Sequence, residues 1–279
     1  MVDTLPMFNS DTSLYAVLGD PISHSLSPLM HNIAFSHANH NGVYVAFRVK
    51  EIGKAISAIK VLDIKGAAIT IPHKVSVMEF LDEIGHPAEN IGAVNTIINR
   101  QGRMIGYNYD SIGAVTAIKE KTDIQNKAVA MLGAGGAARA VGYGIISEGG
   151  RLTILNRTKE KGEQLAADLG AEFRPVEDFK TVKCDILINA TSLGMAPKFD
   201  CMPVKKEHLH SDMIVMDIVY NPLRTRLLKV AQDMGCTTID GVSMFVYQGA
   251  SQFELWTGKK APIDLMRKTV IRALSGSAE

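Results

Sequence analysis

Hydrophobic residues form two kinds of segment along the chain, short continuous runs and stretches with helical spacing. Continuous runs bounded by glycine, proline or asparagine predict strands buried on both faces of a sheet. They lie at positions 14–18, 43–49, 66–71, 129–132, 152–155, 186–189 and 214–218. Apolar residues three and four positions apart predict helices. These cover positions 52–61, 74–81, 136–147, 159–169, 222–234, 243–256 and 262–274, and one more helix is predicted to begin at Ser27-Pro28, with Ser27 as its N-cap.

The order of these segments predicts an α/β fold. Strands alternate with helices, and after position 128 the alternation is regular, which is typical of a parallel sheet covered by helices on both faces. A hairpin is predicted where positions 96–98 and 103–105 flank the polar sequence NRQG.

The composition narrows the class of protein. At about 150 residues per domain, a length of 279 residues suggests two domains. Hydrophobic residues make up 46% and charged residues 21%, so the chain has enough apolar material for a core and is not disordered as a whole. The 30 Lys and Arg residues are balanced by 29 Asp and Glu residues, and the net charge of +1 argues against a dedicated nucleic-acid-binding protein.

The cysteines and the N-terminal segment predict a cytoplasmic protein. Cys184, Cys201 and Cys236 are far apart and include no C-x-x-C pair, which favours reduced thiols. Positions 1–10 lack the basic and apolar regions of a signal peptide. The apolar stretch 128–146 contains five glycines and a charge, so it is interpreted as strand, turn and helix and not as a membrane span. The clustered His31, His37 and His40 do not share one helix face, and no metal site is predicted.

The sequence GAGGAA at positions 133–138 is the strongest candidate for a ligand site. It follows an apolar strand and precedes a helix, which is the setting of the dinucleotide-binding G-x-G-x-x-G/A turn. Small residues let a pyrophosphate approach the backbone, and the N–H groups of the helix N-terminus favour an anion. The alternative is a glycine-rich turn in a domain without a cofactor.

The end of the next strand favours NADP over NAD. An NAD site would carry Asp or Glu about 20 residues further on, where it binds the ribose 2′-hydroxyl. This chain has Asn156, Arg157 and Thr158 there. The guanidinium of Arg157 matches phosphate oxygens, whereas an acid would repel a 2′-phosphate. The alternative is an exposed arginine at a strand end.

Four further residues are candidates for substrate binding and proton transfer. Thr70 and Lys74 lie in the turn TIPHK, Asn95 lies in GAVNT and Asp110 lies in GYNYD. Hydride transfer at a hydroxyl-bearing carbon needs a group that moves the hydroxyl proton, and a lysine held beside a carboxylate suits this role. Taken singly, a lysine is most often a solvated surface charge.

These motifs together resemble those of the shikimate dehydrogenase family, including its quinate/shikimate dehydrogenase branch. The matches follow one another in order along almost the full chain. They are SLSP at 25–28, TIPHK at 70–74, GAVNT at 92–96, GYNYD at 106–110, GAGGA at 133–137, NRT at 156–158, ATSLG at 190–194, DIVYNP at 217–222 and DGVSM at 240–244, which continues to Gln248.

The resemblance implies reversible, NADP-dependent reduction of 3-dehydroshikimate to shikimate, in the biosynthesis of chorismate and the aromatic amino acids. Lys74 and Asp110 match the catalytic pair, with Lys74 as general acid/base. The positions that match substrate contacts are Ser25, Ser27, Thr70, Asn95, Tyr220 and Gln248, with the two serine hydroxyls on the substrate carboxylate. The positions that match cofactor contacts are Gly133, Ala134, Gly135, Gly136, Ala137, Asn156, Arg157, Thr158, Thr191, Ile218 and Gly241.

The resemblance also implies a two-domain α/β architecture. An N-terminal α/β substrate-binding domain, completed by the C-terminal helices, is expected over 1–110 and 245–279. A Rossmann-type, doubly wound NADP-binding domain is expected over 111–244, with the active-site cleft at the junction. The expected partner is the small-molecule substrate, without nucleic acid or membrane, and both a monomer and a homodimer are compatible with the sequence.

Two positions depart from the family pattern and leave alternatives open. Ala68 stands where the family often has Asn or Ser, and Tyr109 stands where it usually has Thr. Both bear on the ring-binding pocket, so a quinate-preferring or dual-specificity enzyme is the first alternative. The second is a catalytically silent NADP-binding sensor, against which the presence of both Lys74 and Asp110 argues.

Overall fold

The chain divides into two compact units. One consists of Met1–Tyr109 and Gly249–Arg272, and the other of Asp110–Gln248 and Ala273–Glu279. The structure, a computed structural model, describes residues 8–195 and 199–276. Each unit contains a six-stranded sheet. Within the described residues, no helix is both long enough and apolar enough to cross a membrane.

The first unit is built on a mixed sheet. Its strands are β1 (Ser13–Gly19), β2 (Gly42–Arg48), β3 (Gly66–Ile69), β4 (Glu83–Ile84), β5 (Thr96–Arg100) and β6 (Arg103–Tyr107). Its N-terminal helices are α1 (Ser27–His37), α2 (Ile52–Val61) and α3 (Ala88–Ile91), with a 3₁₀ helix at Ser76–Phe80. The strand order is β2-β1-β3-β5-β6-β4. Strand β5 runs antiparallel to β3 and β6, whereas the other neighbouring strands are parallel.

The predicted hairpin is confirmed as β5–β6. Arg100 pairs with Arg103, so the turn itself contains only Gln101 and Gly102. Both turn residues have positive φ, 55° and 88°, which is the backbone of a type I′ turn. The Asn99 side chain accepts a hydrogen bond from the Gly102 N–H at 2.7 Å and closes the turn.

The second unit is a doubly wound parallel sheet. Its elements are α4 (Asp110–Lys119), β7 (Ala128–Leu132), α5 (Gly136–Ser147), β8 (Arg151–Asn156), α6 (Lys159–Leu169), β9 (Glu172–Pro175), β10 (Ile186–Asn189), β11 (Ile214–Asp217), α7 (Arg226–Asp233) and β12 (Thr237–Ile239). Two 3₁₀ helices lie at Val176–Thr181 and Lys206–His208. All strand pairs are parallel in the order β12-β11-β10-β7-β8-β9. From β7 the strands follow one another outward to β9 on one side of the sheet, and from β10 they follow one another outward to β12 on the other side. The boundary between β7 and β10 is therefore the switch point, where such folds bind ligands.

Two long helices end the chain, α8 (Gly241–Thr257) and α9 (Ile263–Gly276). In the first unit, α8 carries Trp256, whose Nε1 donates to the Ile97 carbonyl at 3.0 Å. A Cβ on Gly66 would lie 2.3 Å from that nitrogen, so the indole packs against β3 only because residue 66 is glycine. The ring of Trp256 belongs to an aromatic cluster with Tyr15, His31 and Tyr44.

Three local predictions were wrong. The segment 74–81 is a turn followed by a 3₁₀ helix, because the Lys74 carbonyl accepts a hydrogen bond from the Val94 N–H and is not available to an α-helix. Pro222 does not open α7; Thr225 caps that helix by accepting from the Leu228 N–H. Ser27 is the first residue of α1 and not its N-cap, which is Leu26.

Candidate active site

Loops that follow β1 and β3 meet at one edge of the first sheet. The Asp20 N–H donates to the Ile71 carbonyl at 2.9 Å, and the Thr70 N–H donates to the Leu18 carbonyl at 3.0 Å. A Cβ on Gly19 would lie 2.4 Å from the Thr70 methyl, so glycine is needed where the two loops touch. Thr70 therefore lies against the loop that leads to Ser25.

Ser25 and Ser27 lie at the beginning of α1. The Ser25 hydroxyl oxygen accepts a hydrogen bond from the Ser27 N–H at 3.3 Å. Ser25 is half-buried and Ser27 is buried. Two hydroxyls beside a helix N-terminus form a suitable environment for a carboxylate, because hydroxyl and N–H donors and the helix dipole all favour negative charge.

The turn that carries Lys74 is anchored on both sides. The buried His73 ring uses Nε2 to donate to the Val49 carbonyl at 2.7 Å. The Lys74 carbonyl accepts from the Val94 N–H, also at 2.7 Å. This second bond places the Lys74 backbone next to the segment that contains Asn95, and the Lys74 side chain is half-buried. His73, which anchors this turn, was not among the residues predicted from the sequence.

Asn95 is buried and is held on both its backbone and its side chain. Its carbonyl accepts from the Ile69 N–H at 2.8 Å, which joins it to the end of β3. Its Oδ1 accepts from the Thr96 hydroxyl at 2.6 Å and from the Tyr109 N–H at 2.9 Å. The first unit thus brings together five of the predicted residues at the same sheet edge, namely Ser25, Ser27, Thr70, Lys74 and Asn95.

Three predicted catalytic or substrate residues belong to the second unit. Asp110 is buried and is the first residue of α4, where the helix dipole stabilises a carboxylate. The Tyr220 ring stacks on Phe245 with ring centroids 4.4 Å apart. Gln248 lies on α8 and donates from Nε2 to the Phe245 carbonyl at 2.9 Å.

The glycine-rich turn of the second unit has the form that a dinucleotide requires. Gly133 has φ +111°, and a Cβ there would lie 3.0 Å from the Ala190 carbonyl oxygen. Gly135 is different, because its φ of −89° suits any residue and a Cβ there would meet no atom within 4 Å. The backbone therefore does not require glycine at 135. A Cβ at position 135 would stand in open space at the N-terminus of α5, where free N–H groups and the helix dipole favour an anion such as a pyrophosphate.

The carboxyl end of β8 carries no acid. Asn156 turns its Nδ2 back to donate to the Thr158 carbonyl at 2.7 Å. Arg157 and Thr158 are exposed, and among residues 8–195 and 199–276 no carboxylate forms an ion pair with Arg157. The donor set at this strand end is cationic and neutral, as a 2′-phosphate requires.

A buried network of hydrogen bonds, which was not predicted from the sequence, connects the loops that follow β10 and β11. Asn189 accepts from the Thr191 N–H and hydroxyl through Oδ1 and donates from Nδ2 to Asp217 at 2.9 Å. The other carboxylate oxygen of Asp217 accepts from the Thr225 hydroxyl at 2.7 Å. Burial outweighs these hydrogen bonds and raises the pKa of Asp217 to about 6.

Close backbone packing explains a third glycine of the cofactor set. A Cβ on Gly241 would lie 2.6 Å from the Val219 carbonyl and 2.7 Å from the Ile218 carbonyl. The N-terminus of α8 therefore packs directly on the backbone that follows β11. Thr191, Ile218 and Gly241 all lie at the carboxyl edge of the second sheet, as do the glycine-rich turn and Arg157.

The two unusual positions lie in the first unit. Ala68 is buried in β3, where it pairs with Val17 on one side and with Thr96 on the other. The Tyr109 ring stacks on Tyr107 with centroids 6.3 Å apart. Burial raises the pKa of the Tyr109 hydroxyl. The small side chain of Ala68 lies beside the Thr96 that contacts Asn95, so it bears on the same part of the site.

Comparison with known proteins identifies the family. Residues 17–97 match the shikimate dehydrogenase substrate binding domain, residues 116–233 match the shikimate / quinate 5-dehydrogenase model, and residues 241–271 match the shikimate 5'-dehydrogenase C-terminal domain. The shikimate dehydrogenase (NADP(+)) of Pyrococcus furiosus is 42% identical over 267 residues, which cover 95% of this chain and 97% of the relative.

Solved structures give the same result. A crystal structure of a shikimate dehydrogenase in complex with NADP⁺ has a TM-score of 0.91 and 41% identity, covering 96% of this chain and 98% of the other. The Thermus thermophilus shikimate 5-dehydrogenase in complex with NADP(H) and shikimate has a TM-score of 0.88 and 33% identity, covering 94% and 100%. The chain belongs to the shikimate dehydrogenase family.

Proposed function

We propose that this protein catalyses the reversible, NADP-dependent reduction of 3-dehydroshikimate to shikimate, a step toward chorismate and the aromatic amino acids. The observation that carries the proposal is the match, over 95% of the chain, to a relative named shikimate dehydrogenase (NADP(+)). The three separated cysteines, which favour reduced thiols, support the cytoplasm as its compartment.

We assign substrate binding to residues 1–110 and 245–279. The hydroxyls of Ser25 and Ser27 bind the ring carboxylate, and Thr70 and Asn95 bind ring hydroxyls. The sheet edge described above supports this assignment, because these side chains reach it from separate loops that hydrogen bonds tie together. Gln248 is a further substrate contact, and Tyr220, which lies outside these ranges, completes the set.

We assign cofactor binding to residues 111–244. The turn from Gly133 to Ala137 receives the pyrophosphate, and Arg157, with Asn156 and Thr158, receives the 2′-phosphate. Thr191, Ile218 and Gly241 line the remainder of the site. Open space at Gly135 and the lack of an acid at the end of β8 support NADP as the cofactor. When bound, NADPH supplies the hydride for the ring ketone.

Lys74 and Asp110 perform the proton transfer. In the direction of reduction the Lys74 ammonium donates its proton to the ketone oxygen while the carbon accepts the hydride. In the direction of oxidation neutral Lys74 removes the hydroxyl proton. Asp110 orients the ammonium and a ring hydroxyl, and holding both reactants in place supplies much of the remaining rate enhancement.

The experiment that tests the proposal is oxidation of shikimate by NADP⁺, followed as NADPH absorbance at 340 nm. We expect continuous turnover that depends on both reactants. Tight NADP⁺ binding without turnover would instead support a silent sensor and contradict the assignment of Lys74. Comparable turnover with quinate would support the dual-specificity alternative and direct attention to Ala68.

A further inference from the structure

A single buried carboxamide organises the loop that follows β10. Asn189, which is 0% exposed, uses its Oδ1 to accept hydrogen bonds from the Thr191 N–H at 3.1 Å and from the Thr191 hydroxyl at 2.7 Å. Its Nδ2 donates to the Leu193 carbonyl at 3.2 Å and to Asp217 Oδ1 at 2.9 Å. An asparagine side chain can accept two hydrogen bonds and donate two, so Asn189 uses its full capacity within the second unit.

Asp217 holds this carboxamide from the neighbouring strand. Its Oδ1 also accepts a hydrogen bond from the Val219 N–H at 3.0 Å, and its other oxygen accepts from the Thr225 hydroxyl at 2.7 Å. The Thr225 hydroxyl oxygen accepts from the Leu228 N–H at 3.3 Å, so its single proton is directed to Asp217. These partners, with Asn189, all donate to Asp217, which is the pattern that a carboxylate requires.

The loop that Asn189 organises lies directly against the glycine-rich turn. A Cβ on Gly133 would lie 3.0 Å from the Ala190 carbonyl oxygen and 3.0 Å from the Thr191 methyl carbon. The Ala190 N–H also donates to the Leu132 carbonyl at 2.9 Å, which joins the loop to the end of β7. Because close-packed segments transmit small shifts, a movement of Thr191 would change the wall of the turn that we assign to the pyrophosphate.

We infer that Asn189, held by Asp217, is a positioning residue for NADP and acts through Thr191 and the turn at Gly133. Asparagine suits this position because its carboxamide presents an acceptor to Thr191 and a donor to Asp217 at the same time. A buried side chain in this role does not have to touch the cofactor. The inference rests on the proposed function, because it takes Thr191 and the glycine-rich turn to be part of the cofactor site.

The test compares Asn189→Leu with the exchanged pair Asn189→Asp/Asp217→Asn. Leucine has nearly the size of asparagine and makes no hydrogen bond, so the loop loses its anchor. We expect Asn189→Leu to raise the Kd for NADP⁺ in calorimetry at least about tenfold, the effect of losing about one hydrogen bond to the cofactor. The exchanged pair keeps an acceptor for Thr191 and restores a hydrogen bond between positions 189 and 217, so its Kd should stay within about threefold of the wild-type value.

Two readouts separate positioning of the cofactor site from a general loss of stability. Asn189→Leu should leave the KM for shikimate nearly unchanged, because most of the proposed substrate contacts belong to the first unit. The matched control is Ile124→Val, which shortens a fully buried side chain that precedes β7. This control should lower the urea midpoint of unfolding and leave the Kd for NADP⁺ unchanged.

Three results would contradict the inference. A lower urea midpoint with an unchanged Kd for NADP⁺ in Asn189→Leu would leave Asn189 with a role in folding alone. Equal rises in the Kd for NADP⁺ and the KM for shikimate would likewise overturn positioning of the cofactor. An exchanged pair that binds NADP⁺ no better than Asn189→Leu would contradict the role of Asp217.

A second variant serves if Asn189→Leu does not fold. In Asn189→Ser a hydroxyl remains beside Thr191, but the shorter side chain does not reach Asp217 at the same time. We expect the Kd for NADP⁺ to rise about threefold in this variant, because part of the network is lost. An unchanged Kd would contradict the inference.

The wild type distinguishes the failure of this inference from that of the proposed function. A wild type that binds NADP⁺ without oxidising shikimate would contradict the proposed activity, and the Kd values of the same variants would still test the inference. A wild type that oxidises shikimate, with NADP⁺ binding unaltered in Asn189→Leu, would contradict the positioning role alone. A wild type that does not bind NADP⁺ would overturn both.

Discussion

At the scale of single residues, the proposed reaction depends on proton transfer by Lys74. Replacing it with alanine should lower kcat by about 10²–10⁴-fold and leave the KM for shikimate within a few-fold, because the loss lies mainly in the transition state. Steady-state rates at 340 nm measure both constants. Lys54→Ala is the matched control, because that side chain is 79% exposed and should leave both constants unchanged. An unchanged kcat in Lys74→Ala would refute the role.

In the proposed site, the preference for NADP over NAD depends on Arg157. Reversing its charge in Arg157→Asp should raise the KM for NADP⁺ at least about tenfold, because a charge-assisted bond to the 2′-phosphate is replaced by repulsion. The KM for NAD⁺ should change little, so the preference for NADP⁺ over NAD⁺ should become smaller. Arg151→Asp provides the control, since Arg151 is exposed at the opposite end of the same strand. An unaltered ratio of the KM for NADP⁺ to the KM for NAD⁺ would contradict the assignment of Arg157.

The pH dependence of stability should report on His31. Burial lowers the pKa of His31 to about 3, from an ordinary value of 6.5. The unfolded chain therefore binds more protons between these pH values, and stability falls as the pH falls through that range, by at most about 1.4 kcal/mol per pH unit. We expect the free energy of unfolding, measured in urea, to fall less between pH 6.5 and pH 4.5 in His31→Gln than in the wild type. Equal losses would contradict this account.

At the scale of elements, two glycines in the turn between β7 and α5 should have different roles, Gly133 in folding and Gly135 in cofactor binding. Gly133→Ala should lower the free energy of unfolding by about 1–3 kcal/mol, because φ is +111° and the backbone of Ala190 is 3.0 Å away. Gly135→Ala should leave the free energy of unfolding within about 1 kcal/mol and weaken NADP⁺ binding, because the new methyl group enters open space that we assign to the pyrophosphate. Urea unfolding and NADP⁺ calorimetry measure the two effects. Unchanged NADP⁺ affinity in Gly135→Ala would contradict the assignment of the pyrophosphate to this turn.

Elements with a strong apolar pattern could be predicted from the sequence, and those held by tertiary bonds could not. Strand β10 and helices α2, α5 and α6 have the predicted bounds. Strands β4 and β12 were not predicted, because two or three residues show no periodicity. The segment after Lys74 has helical spacing, but the Lys74 carbonyl accepts its hydrogen bond from the Val94 N–H, and the segment therefore has a different conformation.

Candidate residues were found where the local sequence carries a chemical signal. The glycine-rich turn and Arg157 follow predicted strands, so their position at the sheet edge could be inferred. Asp217 and Asn189 have no such signal, because they stand at the ends of ordinary apolar strands, and only the folded chain brings them together.

At the scale of the whole molecule, the two units have different kinds of sheet. The second unit is parallel throughout, and its glycine-rich turn, Arg157 and Thr191 lie at the carboxyl edge, as expected for a doubly wound fold. The first unit contains the antiparallel β5, which begins at Thr96, beside the end of β3. Through this reversal Asn95 reaches the same edge as Thr70.

The proposed activity requires this chain to oxidise shikimate with NADP⁺. The most direct test is kcat/KM for four pairs of reactants, shikimate or quinate with NADP⁺ or NAD⁺, measured at 340 nm. We predict that shikimate with NADP⁺ gives the highest value and that replacing either member of the pair lowers it at least about tenfold. A higher value for quinate would contradict the substrate, a higher value for NAD⁺ would contradict the role of Arg157, and no turnover with any pair would contradict the proposed activity.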